Sequence, residues 1–197
     1  MSDVKKAQAD VPIHEVIANR WSPYVYDERP VSAEDLRAVF EAARWAASAF
    51  NEQPWRYIVA TKDTPEAYEQ LLYCLVEANQ AWAKQAPVLG LSMVSLNYSR
   101  DGKTNGTALH DLGLATANLV LEAASRGLMV HQMGGILPGR AAELYKVPEG
   151  FQVLTGFALG YPGTEESELA KRDLTPRSRR PIDELVFGEA FGRAFTF

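Results

Sequence analysis

The chain has 197 residues, with 25 acidic against 20 basic side chains and a formal charge of -5, a balance that disfavours nucleic acid as a partner for the whole chain. Hydrophobic residues at 47% and charged ones at 23% fit one compact domain, and no apolar run approaches the ~20 residues that span a bilayer. The single cysteine, Cys74, excludes an internal disulfide and fits a reducing, cytoplasmic setting.

Residues 1–10, "MSDVKKAQAD", lack the apolar stretch of a secretory signal and read as a flexible terminus. Residues 11–21 suit a short helix leading into "RWSPY". Ser32 with Asp35 three positions on is a capping-box pattern, and Leu36, Val39, Phe40 and Ala43 then fall at helical spacing, so a helix is expected over 33–47. "WRYIVA" after it is the first strand. Thr64-Pro65 is an N-cap and N1 pair opening a helix with Leu71, Leu72, Leu75 and Val76 inward. "PVLGLSMVSL" at 87–96 reads as a buried strand.

The loop "NYSRDGKTNG" precedes the longest amphipathic segment, 107–127, ended by Gly127 as a C′ residue. "LMVHQM" is a third strand, "PGRAAELY" a short helix and "FQVLTGFALGYPG" a fourth strand. "TEESELAKRD" is charged and reads as a solvated linker. The tail 181–197 holds four phenylalanines with few apolar partners of its own, so it is expected to bury itself against another subunit. The mixed order of helices and strands predicts an α+β or α/β fold.

Several motifs fall away on spacing. "GKT" at 102–104 needs a glycine five positions before Gly102 to cradle phosphate, and Asn97 stands there. "GGILPG" at 134–139 lacks dinucleotide spacing. His14, His110 and His131 form no HExxH pattern and meet no cysteine cluster, so metal ligation has no sequence support. His110-Asp111 reads as a cap or a satisfied polar pair, and Cys74 as core.

Four segments remain: "RWS" (20–22), "SAFNEQPW" (48–55), "MGGIL" (133–137) and "RSRR" (177–180). Singly, each has a plain structural reading: a helix-end cation, a helix stop with a core tryptophan, a strand-to-loop turn, a solvated patch. In this order, with "NQAWA" and "APV" at 79–88, they resemble the nitroreductase family of flavin enzymes over nearly the whole chain. "N-x-Q-P-W" with its flanks is the most specific part.

The resemblance implies an α+β fold with a mostly antiparallel central sheet flanked by helices. It also implies an intertwined homodimer with bound FMN at the interface. The expected boundaries are a flexible 1–10, a flavin-binding body at 11–180 and an arm at 181–197 exchanged onto the partner. Arg20, Arg177 and Arg179 match positions around the FMN phosphate, where guanidinium pairs bidentately with a dianion that is costly to bury alone. Trp21 and Ser22 accompany Arg20, Ser22 as a hydroxyl donor. Asn79 matches a contact to the ribityl chain or ring edge. Ala47, Ser48, Ala49 and Asn51 match a segment reaching the flavin from the partner, with Gln53 and Pro54 fixing the turn and Trp55 in the core. Met133, Gly134 and Gly135 match the loop beside the reactive N5 atom, where a residue without Cβ lets a backbone N–H approach.

Two positions depart from many members. Tyr24 stands where lysine or arginine lies near the N1/O2 edge, and a phenol offers a hydrogen bond without charge. Trp82 stands where some members have lysine, and is expected to line the pocket. No acid–base side chain is demanded, because the cofactor carries the redox chemistry. The reading is therefore an oxidoreductase passing hydride from NADH or NADPH through FMN to a flat acceptor, a nitroaromatic or quinone, in a ping-pong cycle. The alternatives are a relative with other flavin chemistry (dehalogenation, ene reduction, flavin breakdown) and a non-catalytic flavin sensor or store.

Overall fold

A computed structural model of the chain describes residues 3–164 and 168–197. Four strands, β1 (Trp55–Thr61), β2 (Val88–Ser95), β3 (Met129–Met133) and β4 (Phe151–Gly160), form one antiparallel sheet in the order β1-β2-β4-β3. The fold is thus α+β, with helices on both faces. Alternation along β2 explains why both faces are dry. Leu89, Leu91 and Met93 enter one core with Leu71, Leu75, Trp82 and Met133, while Val88 and Val94 enter the other with Val39, Leu112, Leu119 and Phe157. Gly90 sits opposite Phe157, and a Cβ there would lie 2.0 Å from that ring.

The second face is covered by α2 (Ala33–Arg44) and α5 (Ala108–Ser125), with α1 (Glu15–Asn19) against α5. Ser32 caps α2 as its sequence foretold, accepting the Asp35 N–H at 3.0 Å while its hydroxyl meets the Asp35 carboxylate. Gly127 closes α5 at φ +75°, with the Leu128 N–H turned back to the Ala123 carbonyl.

The structure departs from the sequence expectation in three places. Helix α2 stops at Arg44, three residues early, because the following chain swings out so that Ala49 can donate to Asp111. The helix expected through Val76 divides into α3 (Pro65–Tyr73) and α4 (Glu77–Ala83). Between them Leu75 bridges Ile136, Leu137 donates to the Cys74 carbonyl and Val76 to that of Gly135; a distant segment takes these backbone groups out of the helix. The supposed linker at 164–173 ends in a helix, α7 (Glu168–Asp173), whose last residue is buried; its residues 165–167 lie outside those described. Helix α6 (Pro138–Leu144) completes the layer over the first face. Among the described residues no helix is long and apolar enough to cross a membrane.

Candidate flavin site

Arginines far apart in the chain converge beside α1. Arg20 caps that helix and reaches the Ser22 hydroxyl at 3.4 Å. Arg177 donates to the carbonyls of Lys5 and Ala18, and Arg179 to that of Ser178. Burial, then the nearby Arg177 and Arg179 charges, holds the Arg20 guanidinium below the ordinary arginine range; burial and Arg179 do the same to Arg177. Among the described residues no carboxylate opposes these effects, so the cluster concentrates positive charge in an acidic chain. Guanidinium groups so placed have the donors that an anion pairs with.

Residues 1–10 were expected to be loose, yet Lys5 is held from three directions. Its Nζ donates to the Arg172 and Thr175 carbonyls and lies 5.5 Å from the centroid of the buried Trp21 ring. Its own carbonyl takes the Arg177 bond.

The strap after Ser22 is anchored by a residue the sequence reading passed over. The Asp173 carboxylate, 8% exposed, accepts the N–H groups of Tyr24 and Val25 at 3.0–3.1 Å. Burial raises its pKa against these bonds. Tyr24 lies edge-on to Trp82 and to His131, with centroids 5.2 and 4.7 Å away, and the Arg172 guanidinium lies 5.1 Å from its ring centroid. His131 Nδ1 donates to the Pro23 carbonyl at 2.8 Å, which fixes the tautomer of the neutral ring.

Burial lowers the His131 pKa below 6.5, against that bond and Asp173. An unfolded chain therefore takes up this proton first as pH falls. The stability contributed by the neutral ring is complete above about pH 6.5 and shrinks below it. Asp173 has the opposite sign: its raised pKa favours the fold below 3.8, and that advantage is lost as pH rises through the folded value. Melting temperatures between pH 7.5 and 5 are expected to fall for the native chain and to fall less for His131→Gln, which keeps a donor for Pro23 but takes no proton.

The glycine pair divides into two tasks. A Cβ on Gly134 would meet nothing within 4 Å, so the chain there borders open space. A Cβ on Gly135 would stand 2.5 Å from Asn79 Nδ2 and 2.8 Å from Val76 Cγ2. Gly135 is small because Asn79 donates to its carbonyl at 2.9 Å, while Asn79 Oδ1 accepts from Trp82 Nε1. Asn79 is thereby oriented beside the loop. Trp82, 3% exposed, backs Tyr24 and His131 from within the core, as does Met133 at 4%.

The turn at 47–53 is strained. Phe50, Asn51 and Gln53 have φ of 54°, 57° and 52°, left-handed values that cost non-glycine residues roughly 1–2 kcal/mol each. Several bonds hold them there, among them Ser48 Oγ accepting the Gln53 N–H, Gln53 Nε2 donating to the Asn51 carbonyl, and buried Asp111 accepting the Ala49 N–H. Ala47 and Asn51 are left exposed, and Trp55 enters the core at 7%.

These residues form two groups. Tyr24, Trp82 and Met133 pack on the α3–α4–α6 face beside the edge strand β3, whereas the 47–53 turn leads into the opposite edge strand β1 on the α2–α5 face. Three inter-strand spacings, roughly 14 Å, separate those edges. Asp173 and Lys5 were invisible to sequence reading because their partners lie about 150 to 170 positions away. No local pattern marks them.

Comparison with known proteins gives concordant results. A family model described as "Nitroreductase family" matches residues 17–161. A solved structure, "the oxidoreductase containing FMN", is 34% identical and superposes with a TM-score of 0.88 over 97% of this chain and 98% of that one. The "Major NAD(P)H-flavin oxidoreductase" of Aliivibrio fischeri is 24% identical, over 89% of this chain and 97% of that protein. The "FMN reductase [NAD(P)H]" of Bacillus subtilis is 27% identical, over 73% and 63% respectively.

Proposed function

As the chain belongs to the nitroreductase family, we propose that it is an NAD(P)H-dependent FMN oxidoreductase, acting as a homodimer by a ping-pong cycle on a flat acceptor such as a nitroaromatic or quinone. One observation carries this reading: Arg20, Arg177 and Arg179 act on one another's charge, and among the described residues no carboxylate balances them. A phosphate dianion answers that repulsion, and the open space beside Gly134 leaves room for a ring next to the loop that Asn79 holds through the Gly135 carbonyl.

Bound FMN supplies the hydride chemistry, accepting from NAD(P)H and delivering to the acceptor. The protein's residues position and neutralise. Arg20, Arg177 and Arg179 hold the phosphate, with Ser22 as a hydroxyl partner beside Arg20. Asn79 and the Gly134-Gly135 backbone face the ribityl chain and ring edge, and Tyr24 offers a phenol where a charge would raise the flavin potential. Its uncharged donor favours a lower potential than in relatives with a basic residue there.

The separation of the two residue groups supports the dimer. A turn at one sheet edge serves a flavin at the other when it comes from a second copy. The arm at 181–197 supports it too, since Phe191 is 95% and Phe197 79% exposed in a single protomer.

Flavin-loaded protein should be bleached anaerobically by NADH or NADPH. Initial rates against menadione or a nitroaromatic should then give parallel double-reciprocal lines. Bound flavin that neither nicotinamide bleaches would assign a sensor or store, and intersecting lines would reject the ping-pong cycle.

A further inference from the structure

The strained turn and the 97–106 loop are joined by a feature that the flavin reading leaves unused. Phe50 is 73% exposed at φ 54°. Its ring stands edge-on to Tyr98 at 5.8 Å, and the Arg100 guanidinium lies 4.2 Å from the Phe50 centroid and 4.9 Å from that of Tyr98. The turn and loop are locked together by Glu52, which accepts the Ser99 N–H at 2.8 Å.

Neither nearby carboxylate hydrogen-bonds to Arg100: Glu52 is taken by the Ser99 N–H, and Asp101 forms only a long ion pair with it. Asp101 accepts the Lys103 N–H and is shared between Lys103 Nζ at 3.7 Å and Arg100 Nε at 3.9 Å, beyond hydrogen-bond distance. Arg100 therefore makes no hydrogen bond with another described residue, and its side chain remains 52% exposed. Contact with two rings, themselves nearly perpendicular at 80°, holds the guanidinium in place while its N–H groups make no hydrogen bond among the described residues, so they can receive a carboxylate or similar oxyanion in bidentate fashion. An exposed phenylalanine in a left-handed backbone, beside such a cation, presents an apolar face and an anion receptor together.

We infer that Phe50, Tyr98 and Arg100 form a clamp selecting aromatic acceptors that carry an anionic substituent. Phe50 lies against the ring and Arg100 pairs with the oxyanion. The inference rests on the reading above, in which Ala49 and Asn51 on either side of Phe50 reach the partner's flavin. It names the acceptor class of that same site.

The test compares 4-nitrobenzoate with neutral 4-nitrobenzyl alcohol. In Arg100→Ala the KM for the anion should rise about tenfold relative to the alcohol, the worth of one half-exposed charge-assisted bond, with kcat nearly unchanged. Phe50→Leu should weaken both acceptors together. A second readout needs no turnover: titration of the oxidised holoenzyme with benzoate should lose about tenfold in affinity in Arg100→Ala, and benzyl alcohol should not. Equal effects of Arg100→Ala on both acceptors, or none, overturn the clamp. So does an effect confined to NADPH against NADH, which would give Arg100 to the coenzyme's 2′-phosphate. A native enzyme that reduces neither acceptor yet binds benzoate through Arg100 defeats the proposed activity and leaves the clamp standing.

Discussion

Replacing Arg20 and Arg179 together with alanine is expected to strip FMN from the protein while leaving the fold intact. Each guanidinium removed costs a charge-assisted pairing worth about 1.5–3 kcal/mol, so affinity should fall roughly 100- to 10,000-fold for the pair. The apoprotein should lose little. Among the described residues the Arg20 side chain reaches only the Ser22 hydroxyl, at 3.4 Å, and that of Arg179 only the carbonyl of its neighbour Ser178. Their charges also press on Arg177 and on each other, so the double variant without cofactor should melt no lower than native apoprotein. A site that repels itself when empty and is calmed by its ligand is a usual compromise between function and stability. Arg177 is different, because its bonds to the Lys5 and Ala18 carbonyls tie the N-terminal segment to α1. Absorption spectra after gel filtration, with melting curves of the apo forms, decide the matter. Full flavin occupancy in the double variant would refute the phosphate assignment.

Removing the Asp173 carboxylate should damage stability and cofactor binding together. In Asp173→Ala the N–H groups of Tyr24 and Val25 lose their acceptor in a place where water has little access, since Val25 is 1% exposed. Orphaned donors cost about 1–3 kcal/mol each. The burial that raises the Asp173 pKa marks a penalty that the alanine escapes, so the net loss should be about 2–3 kcal/mol. For a chain of this length that lowers the melting temperature by roughly 4–12 °C. Asp173→Asn should recover only part, because its amide group turns a second donor toward the backbone donors. The strap that Asp173 holds begins two residues after Ser22, so FMN affinity should fall too, Asp173 acting through the strap and not by contact with the cofactor. Melting within 1 °C of the native protein, with unchanged FMN affinity, would show that the strap holds its course without this anchor.

Much of the fold was legible because its causes are local. The Ser32 cap, the Gly127 stop and the apolar run of β2 each act within a few residues, and all appear where their chemistry puts them. The failures were contests between local propensity and a distant partner. Residues 74–76 have helical company, but 135–137 claim their backbone groups. Residues 168–173 look like a solvated run until Asp173 is drawn into the interior by Tyr24 and Val25. The site followed the same rule. The residue types needed for a flavin phosphate and for a close backbone approach were readable from "RWS", "RSRR" and the glycine pair, yet which glycine meets open space was not.

By itself, then, the amino-acid order determined that helices and strands mix in one compact unit, since that follows from short-range pattern and composition, and its resemblance to the nitroreductase family implied the α+β class and the side chains proposed for the site. Tertiary structure alone decided that Lys5 joins the arginine cluster through Arg177, that Asp173 anchors the strap at Tyr24 and Val25, that Trp82 supports Tyr24 from behind, and that Arg100 lies across Phe50 and Tyr98. The physical reason is the same in each case: burial and pairing energies depend on which distant groups arrive at the same place, and nothing in a local stretch of chain records its future neighbours.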